Sequence, residues 1–244
     1  MPSVSIIIPT LNEEKTLPEA FVNLRALAPT PQEVIVADGV SKDNTTALAE
    51  KSGCQLIRVI GRGRALQMNE GAARATGELL VFLHADTRVP KDLVKIVEDV
   101  LEDPKIVLGG FICIMRGEKS VQRFISINNF LKTYVLAMFY NPYRFFFKGF
   151  RFLFGDQVMF CRKTDFDRIS GFSMEMPIME DVNMCIRINK LGRIKQIRRL
   201  VYSSDRRVAS QGLVKAYLIY LKIAVLWAFG VSTKWLRSQY EDIR

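Results

Sequence analysis

An α/β protein built on a largely parallel sheet is the fold this sequence predicts, and three observations predict it. Short apolar runs alternate with segments of helical spacing over the first hundred residues. The runs are continuously apolar rather than alternating, as strands covered on both faces require. Polar residues gather where the runs end, the edge at which open α/β sheets bind ligands.

Taken in order, Val4–Pro9 is a β-branched apolar run and a first strand. Glu13–Leu27 follows as a helix with Leu17, Phe21 and Leu24 on one face, broken by Pro29-Thr30-Pro31. Glu33–Ala37 is a second strand, and Asp43–Lys51 a short helix stopped by Gly53. Gln55–Ile60 is a third strand, Ala65–Ala75 a helix closed at Gly77, and residues 79–83 a fourth strand. After about residue 104 the pattern changes. Ile106–Met115 reads as a longer strand broken at its start by Gly109-Gly110. Gln157–Arg162 returns to strand character, and Asp181–Leu191 reads as a helix ended by Gly192. Leu213–Val231 is nearly all apolar, with Lys215 and Lys222 on roughly one face.

The chain has 244 residues, enough for one well-buried domain or one domain with an appendage. The division expected is 1–207 for the domain and 208–244 for a helical extension used in packing, dimerisation or membrane contact. Apolar residues make up 49% and charged residues 25%, with no repeats, which excludes disordered and solenoid classes. No export signal precedes the first strand, so a cytoplasmic protein is expected, at most at the inner face of the membrane. Cys54, Cys113, Cys161 and Cys185 have no paired spacing and read as plain thiols. With one histidine, a zinc site is a poor reading. The net charge of +10 invites an anionic partner. No helix-turn-helix, finger or RNA-binding aromatic signature accompanies it, so nucleic acid is not expected.

The residues that could carry chemistry fall into four patterns. Pro9-Thr10-Leu11-Asn12-Glu13 ends the first strand, and Ala37-Asp38-Gly39 through Thr45 ends the second. Gly61-Arg62-Gly63-Arg64 offers pliant backbone and two guanidiniums suited to phosphate, and the following strand ends on His84-Ala85-Asp86. A carboxylate at that edge is placed to hold a ligand or a metal, which together with the arginines suggests a nucleoside-diphosphate site. Pro177-Ile178-Met179-Glu180-Asp181 opens a helix. Each pattern also has a structural reading: Asn12, Asp43 and Asn44 as helix caps, Asp38-Gly39 as a turn, Glu180-Asp181 as first-turn acids favoured by the helix dipole.

In combination and in this order, the patterns resemble glycosyltransferase family 2, the inverting transferases of GT-A fold, over roughly residues 3–207. Val-Ser-Ile-Ile-Ile-Pro-Thr-Leu-Asn-Glu-Glu is similar to the family's first strand. Gly63-Arg64-Ala65-Leu66-Gln67-Met68-Asn69-Glu70-Gly71 is similar to the segment leading to its metal-binding strand. Phe-Leu-His-Ala-Asp-Thr, Gly155-Asp156-Gln157 and Met179-Glu180-Asp181 further resemble a subgroup identified as radical-SAM- or selenodomain-associated transferases, of the arsenosugar-biosynthesis type.

The resemblance implies a Rossmann-like nucleotide-binding sheet with C-terminal amphipathic helices, a nucleotide-sugar donor (UDP-linked rather than GDP-linked) and Mn2+ or Mg2+ as cofactor. It implies nucleotide contacts at Pro9, Thr10, Glu13, Asp38, Arg62, Arg64, Asn69 and Ala85, with Asp38 accepting from the base. Asp86 stands at the last acid of the metal-binding DXD motif. Asp181 is the base that deprotonates the acceptor hydroxyl. Asp156, Gln157 and Glu180 hold sugar or acceptor, and Arg206 and Arg207 contact the diphosphate. This chain departs from the family at His84, where an acid is usual, at Leu11, where an aromatic is frequent, and at Val208, likewise. His84 is therefore either a metal ligand or a strand-end residue bonded to a neighbour; imidazole suits Mn2+ better than Mg2+.

Between Phe139 and Phe154 lie seven phenylalanines with Arg144, Lys148 and Arg151 and no acid. That stretch and Leu213–Val231 read either as core and homodimer packing or as a membrane-surface contact that would favour a lipid-linked over a small-molecule acceptor. Two other functions compete. A sugar-nucleotide pyrophosphorylase would carry a Gly-rich basic loop directly after the first strand, where this chain has Pro-Thr-Leu-Asn-Glu. A module binding a membrane or partner without turnover has no need of Asp38, Asp86 and Asp181 together.

Overall fold

The structure, a computed structural model, describes residues 2–61, 63–116, 123–176 and 178–204, together with the single positions 222, 226, 231, 235 and 236. The expected boundary at 207 and the helix expected over Leu213–Val231 lie outside the continuous described segments.

The first half alternates as its apolar pattern predicts: β1 (Val4–Thr10), α1 (Leu17–Arg25), β2 (Glu33–Asp38), α2 (Thr45–Ser52), β3 (Gln55–Arg58), α3 (Arg64–Arg74) and β4 (Leu79–Phe82). Helix α1 starts four residues later than the spacing predicts, with Thr16 at its N-cap and a proline in its first turn. A short β5 (Thr87–Arg88), α4 (Leu93–Leu101) and the long β6 (Ile106–Arg116) follow. Next come α5 (Arg123–Tyr140), α6 (Pro142–Phe147), a single 3-10 turn at Gly155–Gln157, β7 (Met159–Arg162), α7 (Lys163–Arg168), α8 (Glu180–Ile188) and β8 (Arg193–Ser204).

Among the described residues the strands form one eight-stranded sheet in the order β3-β2-β1-β4-β7-β6-β8-β5. The β3-β2-β1-β4 half is parallel throughout. Strand β7 pairs antiparallel with both β4 and β6, while β6 and β8 run parallel. Two apolar layers cover the sheet: one centred on Ile7, Leu80, Phe82, Phe150 and Phe172, the other on Ile6, Ile8, Val81, Leu93 and Phe160. Adjacent residues of β1 and of β4 thus enter opposite layers, which is why these strands read as unbroken apolar runs.

Other departures from expectation fall in the second half. Gly109-Gly110 does not break β6, whose pairing with β8 runs through both residues. Gly109 instead makes room for a ring, because a Cβ there would lie 2.2 Å from Phe160. The strand expected from Gln157 begins at Met159, after the 3-10 turn. Helix α8 ends at Ile188 rather than running on to Leu191.

Register places the polar loops. Thr10 lies opposite Asp38, and Asp38 opposite Arg58, so the carboxyl ends of β1, β2 and β3 share one edge. The N–H of Leu83, just beyond β4, donates to the Ile7 carbonyl at 2.9 Å, which brings His84-Ala85-Asp86 to that same edge.

Candidate active site

At the ends of β1 and β2, Asp38 is fully buried and its carboxylate is held by three donors. Thr10 Oγ1 donates at 3.1 Å, the Ser41 N–H at 2.8 Å, and the Ser41 hydroxyl makes a further short contact. Gln67, projecting from α3, straps the two strand ends together: its Nε2 donates to the carbonyls of Thr10 (2.5 Å) and Ala37 (3.0 Å). The loops beyond are cross-linked as well. The Asn12 carbonyl oxygen Oδ1 accepts from the Lys42 N–H at 2.9 Å, and the Glu13 N–H donates to Thr45 Oγ1 at 2.8 Å. Asn12 therefore ties two loops rather than capping α1. Leu11 and Val40 stand exposed beside this cradle.

Beyond β4, Ala85 is buried and Asp86 half-buried. Asp86 Oδ1 lies 3.5 Å from both the Thr87 and Ser203 hydroxyls, on paired residues of β5 and β8. Asp156, in the 3-10 turn, is likewise half-buried beside it. Burial raises the Asp156 carboxyl above its ordinary value and the Asp86 charge raises it further; Lys132 and a hydrogen bond from the Cys113 thiol act against this. Lys132, on α5, is itself pulled below the usual lysine range by burial, with the Asp156 carboxylate opposing.

Asp181 and Glu180 form the first turn of α8, with Met179 in the left-handed region (φ 63) ahead of them. Asp181 Oδ2 accepts from the Gly155 N–H at 2.8 Å. Glu180 is buried, and its Oε1 lies 3.8 Å from Arg64 Nη1 at the start of α3. Burial pushes the Asp181 carboxyl up to about 7, and the charges of Glu180 and Asp156 add to the rise against Arg64 and the Gly155 N–H. Gly155 is the spacer of the group. A Cβ there would come 2.5 Å from His84 Nε2 and 3.2 Å from Asp181 Oδ2, so the His84 ring and the Asp181 carboxylate flank one backbone position. The result is a carboxyl poised to take a proton near neutrality, with three further acids (Asp86, Asp156, Glu180) and two bases (Arg64, Lys132) around it.

The fold thus brings Asp181, Glu180, Arg64, His84, Asp86 and Asp156 together, with Pro9, Thr10, Glu13 and Asp38 along the same edge. Two expected contact residues have structural partners. Asn69 spans to the loop before α8: its Nδ2 donates to the Phe172 carbonyl (2.8 Å) and its Oδ1 accepts from the Phe172 N–H (2.9 Å). Gln157 is fully buried, donating to Thr133 Oγ1 (3.0 Å) and accepting from the Phe154 N–H (3.3 Å). Both brace the site from beneath. Arg62, Arg206 and Arg207 lie outside the described residues.

Sequence reasoning did not assign roles to Gln67, Ser41, Gly155 or Lys132. Gln67 sits inside the quoted Gly63–Gly71 run, and Ser41 inside the loop after β2, so local signals existed. Lys132 had none, because α5 is remote in sequence from every motif. A separate cavity of about 620 Å3, lined by Gly77, Lys95, Glu98, Arg162 and Asp167 among others, lies at the opposite ends of the strands and contains none of these residues.

Comparison with known proteins bears on this geometry. The chain is 32% identical over 117 residues to an undecaprenyl-phosphate 4-deoxy-4-formamido-L-arabinose transferase of Sodalis glossinidius (strain morsitans), covering 43% of this chain and 35% of that protein. It thus spans about a third of the length of that relative. Among solved structures it is similar to the mannosyltransferase PcManGT of Pyrobaculum calidifontis in complex with GDP-Man and Mn2+ (TM-score 0.68, 21% identity, 94% of this chain and 63% of that one). It is also similar to glucosyl-3-phosphoglycerate synthase of Mycobacterium tuberculosis in complex with Mn2+, UDP and glucosyl-3-phosphoglycerate (TM-score 0.61, 20% identity, 94% and 81%). These likenesses show a GT-A architecture. The sequence profile described as "Glycosyl transferase family 2" matches residues 5–167, and the chain belongs to that family.

Proposed function

We propose that this chain is an inverting, metal-dependent glycosyltransferase that moves a sugar from a UDP-linked donor to an acceptor hydroxyl. The observation that carries the proposal is Asp181: a carboxyl raised to about 7 by burial and neighbouring acids, at the ligand-binding edge of a nucleotide-type sheet. Asp38, Thr10 and Glu13 would receive base and ribose, with Pro9, Asn69 and Ala85 shaping that end. Arg64, joined by Arg62, Arg206 and Arg207, would face the diphosphate. Asp156 and Glu180 would orient sugar and acceptor, with Gln157 bracing their turn from beneath. Asp181 takes the hydroxyl proton as that oxygen attacks the anomeric carbon, and the bond to the diphosphate oxygen breaks in line, inverting the centre.

The donor set suits a hard divalent cation: Asp86 and Asp156 are close enough for one charge to raise the other's proton affinity, a cost that a cation offsets. Among the described residues no three of His, Cys, Asp and Glu enclose a metal by themselves. Asp86, with His84 beside it, would therefore share Mn2+ or Mg2+ with the donor's phosphates. When bound, the ion would supply charge stabilisation at the leaving diphosphate. Two similar structures hold Mn2+ with a nucleotide or nucleotide sugar, which supports this reading. The narrower radical-SAM-associated placement rests on the His84-Ala85-Asp86, Gly155-Asp156-Gln157 and Met179-Glu180-Asp181 motifs alone. We also take residues 208–244 to be an extension outside the catalytic unit.

The test is thermal stability with UDP, GDP and CMP, each with and without Mn2+. Ligand at a hundred times its Kd adds ~2.7 kcal/mol. A Mn2+-dependent rise with UDP that Asp86→Ala abolishes and Asp181→Asn retains is expected. No rise with any nucleotide overturns the proposal, and a rise with GDP alone overturns the choice of nucleotide.

A further inference from the structure

The solvent side of α5 is apolar where a globular protein would place polar residues. Ile127, Leu131, Val135 and Phe139 recur every four residues, so they share one face of the helix, and all four are exposed. Phe139 is 77% exposed. Phe130 widens the stripe, and α6 extends it with Tyr143, Phe146 and Phe147, the last 69% exposed. Such a contiguous display marks an interaction surface rather than scattered exposed side chains.

Charge identifies the occupant. From residue 139 to residue 155 the chain has three basic residues, Arg144, Lys148 and Arg151, and no acid. Lys148 is exposed at the end of α6, and the exposed Arg193 side chain lies against Gly149 next to it. Arg144 and Arg151 sit just beneath, bonded to the carbonyls of Ile186 and of Phe145 and Phe150. An isologous dimer through this face would bring its basic rim against itself. Anionic lipid headgroups complement that rim, and the projecting phenylalanines match the acyl boundary below them. No helix among the described residues is long and apolar enough to cross a membrane, so the fit is in the plane of the surface.

We infer that the α5–α6 face docks on an anionic lipid bilayer. On the buried side of α5, Thr133 Oγ1 accepts from Gln157, and the adjacent Lys132 lies in the field of Asp156. Docking would therefore set the acceptor side of the site next to the lipid plane, and the acceptor would be lipid-linked. That last clause rests on the proposed transferase activity; the docking itself does not.

Flotation of the full chain with phosphatidylcholine vesicles, with and without phosphatidylglycerol, tests it. The chain is expected to float with the anionic vesicles at low salt, to do so less at high salt, and to stay behind with the neutral ones. Phe139→Ser/Phe146→Ser/Phe147→Ser should cut binding by at least about tenfold, because each buried phenylalanine contributes that much or more. Lys148→Glu should weaken it without touching the apolar stripe. Failure to float, or flotation of the triple variant equal to wild type, overturns the inference. So does a dimer in solution that the triple variant dissociates, since the face then belongs to a second copy. The UDP-dependent thermal rise should survive in the triple variant, so loss of docking and loss of nucleotide binding are read separately.

Discussion

Replacing Asp181 by Asn should stabilise the folded protein at neutral and alkaline pH while removing its activity. The carboxyl rises from 3.8 to about 7 on folding. Between those values the folded chain keeps a proton that the unfolded chain has lost, so wild-type stability falls as pH rises through this window and levels off above it. At ~1.4 kcal/mol per pH unit the cost reaches at most about 4 kcal/mol. Asp181 keeps some solvent-accessible surface, and screening of its neighbours brings the expected gain to about 1–2 kcal/mol. Asparagine retains an oxygen for the Gly155 N–H, so the substitution removes the charge without orphaning that donor. Urea unfolding of both proteins at about pH 4, 6 and 8 measures the effect; the difference should be near zero in acid and largest at the alkaline end. In thermal melts it corresponds to about 2–8 °C. Transfer activity should fall by about 10²–10⁴, and the wild-type pH–rate profile should rise on a limb near 7. A difference independent of pH, or a variant less stable than wild type at every pH, would refute the account of Asp181.

Two other substitutions probe the scaffold of the site. Gln67→Ala leaves the carbonyls of Thr10 and Ala37 without their shared donor and should cost about 1–3 kcal/mol in urea unfolding, together with weaker nucleotide binding; unchanged stability would mean the strap is unimportant. Gly155→Ala places a methyl against His84 and Asp181, and should cost about 1–3 kcal/mol and lower kcat more than it raises KM. A variant with wild-type kcat would show that the spacing between these two side chains is not needed.

The readable parts of the fold are those in which local pattern and tertiary role agree. Strands β1, β2 and β4 are apolar on both faces because layers cover both faces, and α2 stops at Gly53, which takes the left-handed conformation. Helix α5 was opaque for the opposite reason. Its buried Thr133 and Ala137 and its exposed Ile127, Leu131, Val135 and Phe139 invert the usual contrast, so periodicity gives no clear face. Strand β8 has no clear local signature either. It is strongly basic, half exposed and held by pairing with β6, nearly ninety residues earlier in the chain. Helix α4, by contrast, is legible, because its buried Leu93, Val94, Val97 and Leu101 have helical spacing.

By itself the sequence determined the α/β class, the strand ends at which chemistry would gather, and four motifs whose order resembles one family. These are matters of local composition and short spacing, which a chain carries before it folds. Tertiary structure alone decided that Asp181 faces Gly155 and His84, that Asp86 and Asp156 share a field with Lys132, and that Asn69 and Gln157 brace rather than line the site. A carboxyl's proton affinity depends on burial and on charges brought from distant segments, and these exist only once the sheet has put α3, α5 and α8 around the end of β4.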